Sequence, residues 1–287
     1  MKRFAVIDVG SNSVRLMFVA DGKVLYKRLH TTRLGEGLAN APFLLPAAIE
    51  RTAQAVADFH RQAKAENAEG VFAFATAAVR SAENRAEFLE KVHALCGLTV
   101  EVVSGAEEAE LGILGALGTG NGGVIDIGGA STEIVVKRDG ELVYKKSLNI
   151  GVVRLKDGYG KDTDGIRKAA EEAAEEYGTL PKTDLFCGIG GTATTLAAQY
   201  LGLENYQSDK ITGTKISLCE LQRLADKLSY MTVEEIAQLP CMPTGRADVI
   251  AGGAVLLATL MEKLDIPVLT VSDRDNLEGY AIQRGLL

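Results

Sequence analysis

Two matching loops carry the residue types best suited to phosphate chemistry. In each, an apolar strand reaches an aspartate and then runs into glycine and small residues: Val6-Ile-Asp-Val-Gly-Ser-Asn-Ser13 in the first half of the chain and Val124-Ile-Asp-Ile-Gly-Gly-Ala-Ser131 in the second. Such turns gather backbone N–H groups into a concave anion site. The carboxylate of Asp8 or Asp126 would repel a bound phosphate unless a divalent cation bridges the carboxylate and the phosphate. One loop alone would suggest only turn capping, but two copies predict paired phosphate loops facing a cleft.

A third glycine-rich loop, Gly188-Ile-Gly-Gly-Thr-Ala193, lies between a predicted strand and a predicted helix. The N-terminus of a helix after such a loop can bind a phosphate group. The same spacing also fits a dinucleotide site, which needs an acidic residue at the end of a second strand about 20 residues later. Glu204 and Asp209 lie in a stretch that does not resemble a strand. The pattern therefore favours a plain phosphate site over a dinucleotide site.

Three charged side chains could supply the remaining chemistry. Each of them could instead have a purely structural role. Arg80 follows a buried strand, where active-site residues of open α/β sheets collect, so it either grips a phosphate or lies on a helix surface. Glu107 either faces the cleft as a base toward water or completes a capping box with Ser104. Glu133 opens the apolar strand after the second loop, where it either serves a metal or water site or lies at an exposed edge.

The elements that would position these residues alternate between strands and helices, which is typical of an α/β fold. Each half begins with a strand, a loop and two further strands joined by a hairpin turn, at Asp21-Gly22 and again at Asp139-Gly140. Because the same order occurs twice, we expect an internal duplication of a whole domain. The second half is also predicted to contain irregular chain at 203–214 and a long helix at 246–264.

The duplication predicts two domains with an active-site cleft between them. The expected boundaries are residues 1–119 for the N-terminal domain and residues 120–287 for the C-terminal domain. The last helix, at about 276–287, is expected to pack back on the first domain. A length of 287 residues fits two domains of ordinary size.

Composition excludes several classes of protein. The net charge of −7 argues against a protein that binds nucleic acid by neutralising many phosphates, and the absence of tryptophan argues against base stacking. Four scattered cysteines and three histidines fit no zinc spacing and indicate a reduced, cytoplasmic setting. The N-terminal apolar run is too short for a secretory signal, and the longest apolar stretch, residues 249–261, is too short to cross a membrane.

Taken together, these motifs resemble those of the exopolyphosphatase and guanosine pentaphosphate phosphohydrolase family, within the actin-like superfamily of sugar kinases and chaperone ATPases. The resemblance spans essentially the whole chain, and several motifs in the right order make it specific. The matching stretches are residues 7–16, 76–80, 103–109, 126–133, 151–155, 188–193, 246–248 and 271–274.

The resemblance implies an α/β fold of duplicated actin-like, ribonuclease H-like domains and an enzyme that releases terminal phosphate from inorganic polyphosphate. By this resemblance Glu107 would polarise the attacking water. Mg²⁺ would be the cofactor, held by Asp126, Glu133 and Asp8. Together with Arg80, the residues expected to bind the substrate are Ser11, Asn12, Ser13, Arg15, Gly128, Gly129, Ala130, Ser131, Gly190, Gly191 and Thr192.

Other activities are compatible with the same motifs. Guanosine pentaphosphate or a short oligophosphate is the nearest alternative substrate. A sugar-kinase-like phosphotransferase and a nucleotide-binding regulatory module without catalysis are alternatives of another class. Kinases of this superfamily need an aspartate base facing an acceptor hydroxyl, and no further aspartate motif stands out in this sequence. A homodimer stays open as an alternative to a monomer.

The sequence departs from the family's pattern in three places. Ala130 stands where a third glycine is usual, and Asp275 and Leu277 stand where a glycine and an arginine are common. One cation on the phosphate side is therefore expected to be missing. The chain ends at Leu287, so we expect it to lack the helical C-terminal domains of longer members. These departures favour a short, metal-assisted grip on the end of a phosphate chain.

Overall fold

The first half of the chain forms a five-stranded mixed sheet in the computed structural model, which describes residues 2–287. Its elements are β1 (Arg3–Val9), β2 (Ser13–Ala20), β3 (Lys23–Thr31), α1 (Pro46–Ala65), β4 (Gly70–Ala75), α2 (Ala77–Ser81), α3 (Arg85–Cys96), β5 (Val100–Val102) and α4 (Gly105–Leu117). The strand order is β3-β2-β1-β4-β5, with β1 antiparallel to β2 and parallel to β4. We call this sheet and the helices on it the first lobe.

Strand β1 is buried on both faces because helices cover each side of the first sheet. Its alternate residues Ala5 and Ile7 belong to the apolar core that includes α1, whereas Val6 packs with the last helix of the chain. Asp8 lies near the end of the strand, directly opposite Arg15 of β2 in the antiparallel register. The buried strand thus places the carboxylate of Asp8 near its carboxyl end, beside the guanidinium of Arg15.

The second half of the chain forms a six-stranded mixed sheet, which we call, with its helices, the second lobe. Its elements and the helix that follows are β6 (Gly122–Ile127), β7 (Thr132–Arg138), β8 (Glu141–Leu148), α5 (Val152–Tyr159), α6 (Thr163–Tyr177), β9 (Phe186–Ile189), α7 (Gly190–Tyr200), α8 (Ser208–Ile211), β10 (Lys215–Ser217), α9 (Leu218–Tyr230), α10 (Val233–Ala237), α11 (Ile250–Lys263), β11 (Val268–Val271) and α12 (Asn276–Gln283).

The two sheets have the same strand order. In the second lobe it is β8-β7-β6-β9-β11, which matches β3-β2-β1-β4-β5 strand for strand, and β10 adds an antiparallel edge. Strand β6 therefore corresponds to β1, and Asp126 corresponds to Asp8. The shared order confirms the predicted α/β fold and the internal repeat.

Helix α12 packs on the first lobe although it follows the last strand of the second. Leu277 and Tyr280 lie in an apolar cluster with residues of β1, β2 and β4, and the ring of Tyr280 stacks on Phe74 with 4.7 Å between centroids. The helix also crosses α4 with backbones in contact. A Cβ at Gly115 would lie 1.9 Å from the Asp275 carbonyl oxygen, and a Cβ at Gly279 would lie 1.9 Å from that of Leu111.

Several elements differ from those predicted. The long helix expected at 246–264 begins only at Ile250, so Arg246 lies in the turn before α11. Residues 203–214 contain the short helix α8, and helix α5 was not predicted. Helix α5 depends on tertiary packing, because Gly151 before it lies so close to Gly129 that a Cβ there would be 2.6 Å from the Gly129 carbonyl. No helix of residues 2–287 has the length and apolar character needed to cross a membrane.

The crossing of α4 and α12 predicts a large difference between two glycine-to-alanine substitutions. Gly115→Ala forces the helix backbones apart and lowers the free energy of unfolding by roughly 3 kcal/mol. Gly158→Ala, in α5, places its methyl group in open space and should be neutral or stabilising by about 0.5–1 kcal/mol. Urea unfolding followed by circular dichroism measures both values. Equal midpoints for the two variants would contradict the tight crossing.

Candidate active site

A cavity of about 350 Å³ opens between the two lobes, and we call it the cleft. The predicted residues that line it are Asp8, Ser11, Asn12, Ser13, Arg15, Asp126, Gly128, Gly129, Ser131, Gly190, Gly191 and Thr192. The predicted residues that do not line it are Arg80, Glu107, Ala130 and Glu133. The structure thus brings the three loops together, but not all of the charged side chains expected beside them.

The first two loops have the same turn and face one another across the cleft. Gly10 N donates to Ser13 O over 3.0 Å in the first loop, and Gly128 N donates to Ser131 O over 2.9 Å in the second. The loops approach so closely that a Cβ at Gly129 would lie 2.7 Å from Cβ of Ser11. Glycine at this position is therefore what allows both loops to line one narrow space.

Ala130 lies outside this space and is buried behind the second loop. Its carbonyl accepts a hydrogen bond from Arg154 Nε of α5 over 2.9 Å. Because the side chain is a methyl group that fits among buried neighbours, alanine is accommodated here without changing the turn. If Ala130 contributes to substrate binding as predicted, it can do so only through its backbone.

The third loop lies between a carboxylate and a guanidinium. Gly190 has φ +73°, a left-handed conformation that favours glycine, and begins α7. A Cβ at Gly190 would lie 2.3 Å from Asp126 Oδ1, and a Cβ at Gly191 would lie 2.0 Å from Arg246 Nη1. Thr192 donates to the carbonyl of Ile127 over 2.8 Å, which ties this loop to the second one. The two glycines thus let charged groups approach the backbone closely.

The glutamate at the cleft is Glu108, and the prediction that Glu107 faces the cleft is wrong. Both lie in the first turn of α4, but Glu107 is exposed and closes a capping box, accepting from Ser104 N over 2.7 Å. Hydrogen bonds from Ser104 lower the pKa of Glu107. Glu108 is 7 % exposed and lines the cleft. One residue along a helix turns a side chain by about 100°, which separates the two roles.

Arg80 contributes to the site through Glu108. Its Nη1 donates to Glu108 Oε2 over 2.8 Å and to the Val103 carbonyl over 3.0 Å. The side chain is only partly exposed, so Arg80 is not an ordinary surface arginine, but it does not line the cleft where a phosphate would lie. In this structure Arg80 holds the buried carboxylate of Glu108, and its predicted role in binding phosphate stays a prediction.

Buried carboxylates accumulate on one side of the cleft. Burial raises the pKa of Glu108, opposed by Arg80. Burial, with the negative charges of Asp275 and Glu108, raises the pKa of Asp126 to about 7. Glu133 lies behind the cleft wall, where burial and the same kind of repulsion raise its pKa well above the usual range. Because neighbouring negative charges repel one another, such a cluster of carboxylates favours protonation or the binding of a cation.

The cations of the cleft differ in how they are paired. Arg15 donates to Asp8 and to Asp275, and Lys27 lies 2.8 Å from Glu278. Arg246, by contrast, is 9 % exposed and has no hydrogen-bond or ion-pair partner for its side chain within residues 2–287. Burial lowers the pKa of Arg246 to about 10, so it stays charged at neutral pH. An unpaired buried guanidinium beside a glycine loop is suited to bind an anion.

Several residues of the cleft were not predicted as site residues. Those with charged side chains are Lys27, Arg28, Glu108, Arg246, Asp273 and Asp275, and the polar ones include Thr76, Tyr206 and Asn276. Arg246 belongs to one of the motifs that carry the family resemblance, and that was the one available signal for it. Asn276 donates to Asp126 Oδ2 over 3.3 Å from the start of α12, a contact across 150 positions that local sequence patterns do not reveal.

The predicted metal ligands lie in the same region without forming a closed metal cluster. Among residues 2–287, no three Asp, Glu, His or Cys side chains are grouped so as to hold a metal ion by themselves. Asp8 and Asp126 line the cleft, and Oδ1 of Asp8 is buried with no hydrogen-bond partner in the part of the chain that the structure describes. Glu133 accepts from Ser147 Oγ over 2.7 Å. Carboxylate oxygens of this kind fit Mg²⁺, which often takes its other ligands from water and phosphate.

Comparison with known proteins gives consistent results over nearly the full chain. A family model described as the Ppx/GppA phosphatase family matches residues 17–284. "Exopolyphosphatase 2" of Mycobacterium tuberculosis is 34% identical, with 98% of each chain covered. "Guanosine-5'-triphosphate,3'-diphosphate pyrophosphatase" of Vibrio parahaemolyticus is 30% identical, covering 99% of this chain and 58% of that protein. The crystal structure of an exopolyphosphatase-like protein superimposes with a TM-score of 0.91 at 28% identity, covering 99% of this chain and 100% of that one.

Two aspartates of the cleft should respond in opposite directions when their charge is removed. Asp126→Asn raises the melting temperature in magnesium-free buffer at pH 8 by roughly 2–6 °C, because burial disfavours the ionised carboxylate. With a pKa raised from 3.8 to about 7, the stability contribution of Asp126 is complete below the unfolded value and lost as the pH rises through 7. The gain should therefore be smaller at pH 5. Scanning calorimetry measures it.

Asp275→Asn should lower the melting temperature at both pH values. Burial raises the pKa of Asp275, but Arg15 and Lys27 outweigh burial and hold it below its usual value. The stability it provides is therefore present above the unfolded pKa and lost only as the pH falls through the folded pKa. Asparagine can still accept from Leu277 N, so the change reports charge rather than capping. Shifts of the same sign in both variants would contradict this charge distribution.

Proposed function

The chain belongs to the Ppx/GppA phosphatase family, and from that membership we propose that it removes terminal phosphate from inorganic polyphosphate by attack of water on a phosphoanhydride bond. The observation that carries the proposal is the meeting of three backbone loops and the buried carboxylate of Glu108 in one cleft. Phosphoryl transfer depends mainly on positioning, charge stabilisation and a group that orients the nucleophile. The name of the Mycobacterium tuberculosis relative, which aligns over nearly its whole length, supports the same activity.

The loops would bind the terminal phosphoryl group through backbone N–H groups. Loops 11–13 and 128–131 face each other, and the start of α7 at Gly190 adds the N–H groups of a helix N-terminus. Backbone donors held by a folded protein need little reorganisation when negative charge moves during the reaction. The close approach of the loops would thus fix the phosphorus atom and exclude surrounding water.

Glu108 would act as the base toward the attacking water. It faces the cleft from the first turn of α4, and Arg80 holds one of its oxygens, which fixes the direction of the carboxylate. A base works best when its pKa lies near the working pH. Burial raises the pKa of Glu108 in that direction. Glu107, exposed in its capping box, has no access to a substrate in the cleft.

Arg246 would supply the positive charge beside the transferred group. Its guanidinium lies against the backbone of Gly191, within reach of any anion bound at the third loop. Two other arginines line the cleft: Arg15 already contacts Asp8 and Asp275, and Arg28 is an exposed residue of β3 whose guanidinium lies over the ring of Tyr26. Arg246 is therefore the buried cleft arginine beside the third loop that can bind a phosphoryl oxygen without first leaving a carboxylate.

We also propose that Mg²⁺ is the cofactor, with Asp126 and Asp8 as its carboxylate ligands. Asp126 Oδ2 accepts one long hydrogen bond from Asn276, and Asp8 Oδ1 has no hydrogen-bond partner among residues 2–287, so both can offer oxygens to a cation. When bound, Mg²⁺ would neutralise charge that builds up on the phosphoryl oxygens. Glu133, bonded to Ser147 and absent from the cleft wall, has the least support of the three predicted ligands.

Guanosine pentaphosphate is the second candidate substrate. The observation in its favour is the 30% identity to the Vibrio parahaemolyticus protein named for a guanosine substrate, although this chain covers only 58% of that protein. Both substrates end in the same phosphoanhydride group, so the loops and Glu108 would act identically on either. We further propose a cytoplasmic location, which is supported by four cysteines that form no disulfide.

A matched pair of glutamate variants tests the proposed reaction. Glu108→Gln should lower the rate of phosphate release from polyphosphate roughly 10²- to 10⁴-fold, because glutamine cannot accept the proton of water. Glu107→Gln should stay within about threefold of the wild type, since glutamine can still complete the capping box. The measurement is phosphate release from polyphosphate, guanosine pentaphosphate and ATP, with Mg²⁺ and after its removal with EDTA.

Melting curves of the two variants provide the control for folding. A larger loss in Glu107→Gln than in Glu108→Gln would contradict the placement of the base. Activity of the wild type that survives EDTA would contradict the metal proposal. Transfer of phosphate from ATP to a sugar, without hydrolysis of either phosphate substrate, would replace the hydrolase with a kinase.

A further inference from the structure

We propose that Arg154 is a positioning residue that aligns the second phosphate loop with the first across the cleft. Its guanidinium joins the carbonyl of Ala130, in the second loop, to residues 32–38 of the first lobe, which we call the bridging segment. The inference rests on the proposed hydrolysis and concerns how the site for the terminal phosphate is held together. Arg154 itself does not line the cleft, so it would act through the loop and not on the substrate.

The bridging segment follows β3 and is bonded to the first loop. Thr32 N and Arg33 N both donate to the carbonyl of Asn12, over 3.0 and 2.9 Å. Gly35 N donates to the carbonyl of Ser11 over 2.8 Å. A Cβ at Gly35 would lie 2.9 Å from Cβ of Ser11, so the segment lies directly against the loop. The position of the segment therefore determines the position of the first loop.

Arg154 lies in the first turn of α5 and bonds the second loop to the same segment. Its Nε donates to the carbonyl of Ala130 over 2.9 Å, and its Nη1 donates to the carbonyl of Leu38 over 3.0 Å. The guanidinium is a rigid planar fork, so two donors on one side chain keep the two carbonyls at a set separation. Since Leu38 belongs to the bridging segment, Arg154 links the second loop to the segment that holds the first.

Both loops present backbone N–H groups directly after the carbonyls that are held in this way. In a trans peptide the C=O and the next N–H point in opposite directions, and residues 2–287 contain no cis peptide bond. The N–H of Asn12 therefore points away from the bridging segment, and the N–H of Ser131 points away from Arg154. Neither N–H donates to a backbone carbonyl within residues 2–287. Because Asn12 and Ser131 line the cleft, both N–H groups are available to a phosphoryl oxygen.

Removing the arginine side chain should turn the peptide after Ala130 without separating the lobes. Gly37 N donates to Asp157 Oδ2 over 2.9 Å, so a second contact between α5 and the bridging segment is independent of Arg154. Val153 N also donates to the carbonyl of Gly129 over 2.8 Å, which keeps the start of the loop in place. A displacement of about 1 Å in a group that positions the reacting atoms can lower a rate about 100-fold. The reaction should therefore respond more strongly than the fold.

The test compares Arg154→Ala with Asp157→Ala in steady-state release of phosphate from polyphosphate. Arg154→Ala should lower kcat about 10- to 50-fold with KM within about threefold, because a misplaced donor costs most where charge moves in the transition state. Asp157→Ala removes the other contact between α5 and the bridging segment and touches no loop carbonyl. Its kcat should stay within about twofold of the wild type, since the loop donors keep their positions.

Free guanidinium provides a second readout, which a loss of stability would not reproduce. A surface cavity of about 250 Å³, lined by residues 38–42, Ser81 and Arg154, gives the ion access to this position. A non-denaturing concentration of guanidinium chloride should raise kcat of Arg154→Ala about three- to tenfold relative to sodium chloride at the same concentration, because the planar ion can bond to both carbonyls. It should not raise kcat of the wild type or of Asp157→Ala.

Arg154→Lys keeps the positive charge and serves if Arg154→Ala does not fold. Lysine offers a single nitrogen, which cannot hold the two carbonyls as a rigid fork does, so kcat should fall about three- to tenfold. A kcat equal to that of the wild type in this variant would contradict the role of the fork. Melting curves of the three variants control for folding.

The outcomes distinguish this inference from the function on which it rests. Phosphate release by the wild type with an unchanged kcat in both Arg154 variants overturns the inference and leaves the hydrolase intact. An equal fall of kcat in Asp157→Ala, or a fall in Arg154→Ala that guanidinium does not reverse, also overturns it. Failure of the wild type to release phosphate overturns the proposed function and the inference together.

Discussion

Carboxylates that are buried close together must find a cation or take up a proton, and this constraint organises the cleft. Asp8 and Asp275 share Arg15, and Glu108 is held by Arg80. Within residues 2–287, Asp126 has no cation within ion-pair distance, and its pKa rises to about 7. Across the third loop from it, the buried Arg246 has no anion as a partner among the same residues. The cleft thus holds an unpaired carboxylate and an unpaired guanidinium on either side of the third loop, an arrangement suited to a metal-bound phosphate.

Helix α12 connects this charge distribution to the fold. Its backbone touches α4 at Gly115 and Gly279, and its first turn reaches Arg15 in the first lobe and Asp126 in the second. Helix α4 in turn carries Glu108. The position of the proposed base relative to the phosphate loops therefore depends on two glycines outside the cleft, which links stability of the last helix to the geometry of the reaction.

The sequence allowed the duplicated α/β fold and the three loops to be predicted, because both depend on local patterns that occur in a fixed order. The identity of the glutamate could not be settled in the same way. Glu107 and Glu108 are adjacent, and only the orientation of α4 against the second lobe determines which one faces the cleft. Arg246 was included in a predicted helix, whereas it lies in a turn before α11. Such features arise from packing between distant segments, which a single sequence does not encode locally.

The central claim is that the cleft is an anion site in which backbone loops and the unpaired Arg246 bind the terminal phosphate. The most direct measurement is calorimetric titration of tripolyphosphate into Glu108→Gln protein, whose turnover is expected to be roughly 10²- to 10⁴-fold slower, and into the same protein with Arg246→Gln. Loss of the buried cation should weaken binding about 30- to 100-fold, because a phosphate oxygen is then left without its charged partner. Arg85→Gln, which changes an exposed arginine, provides the control. Affinity that stays within twofold when Arg246 is replaced would contradict the account.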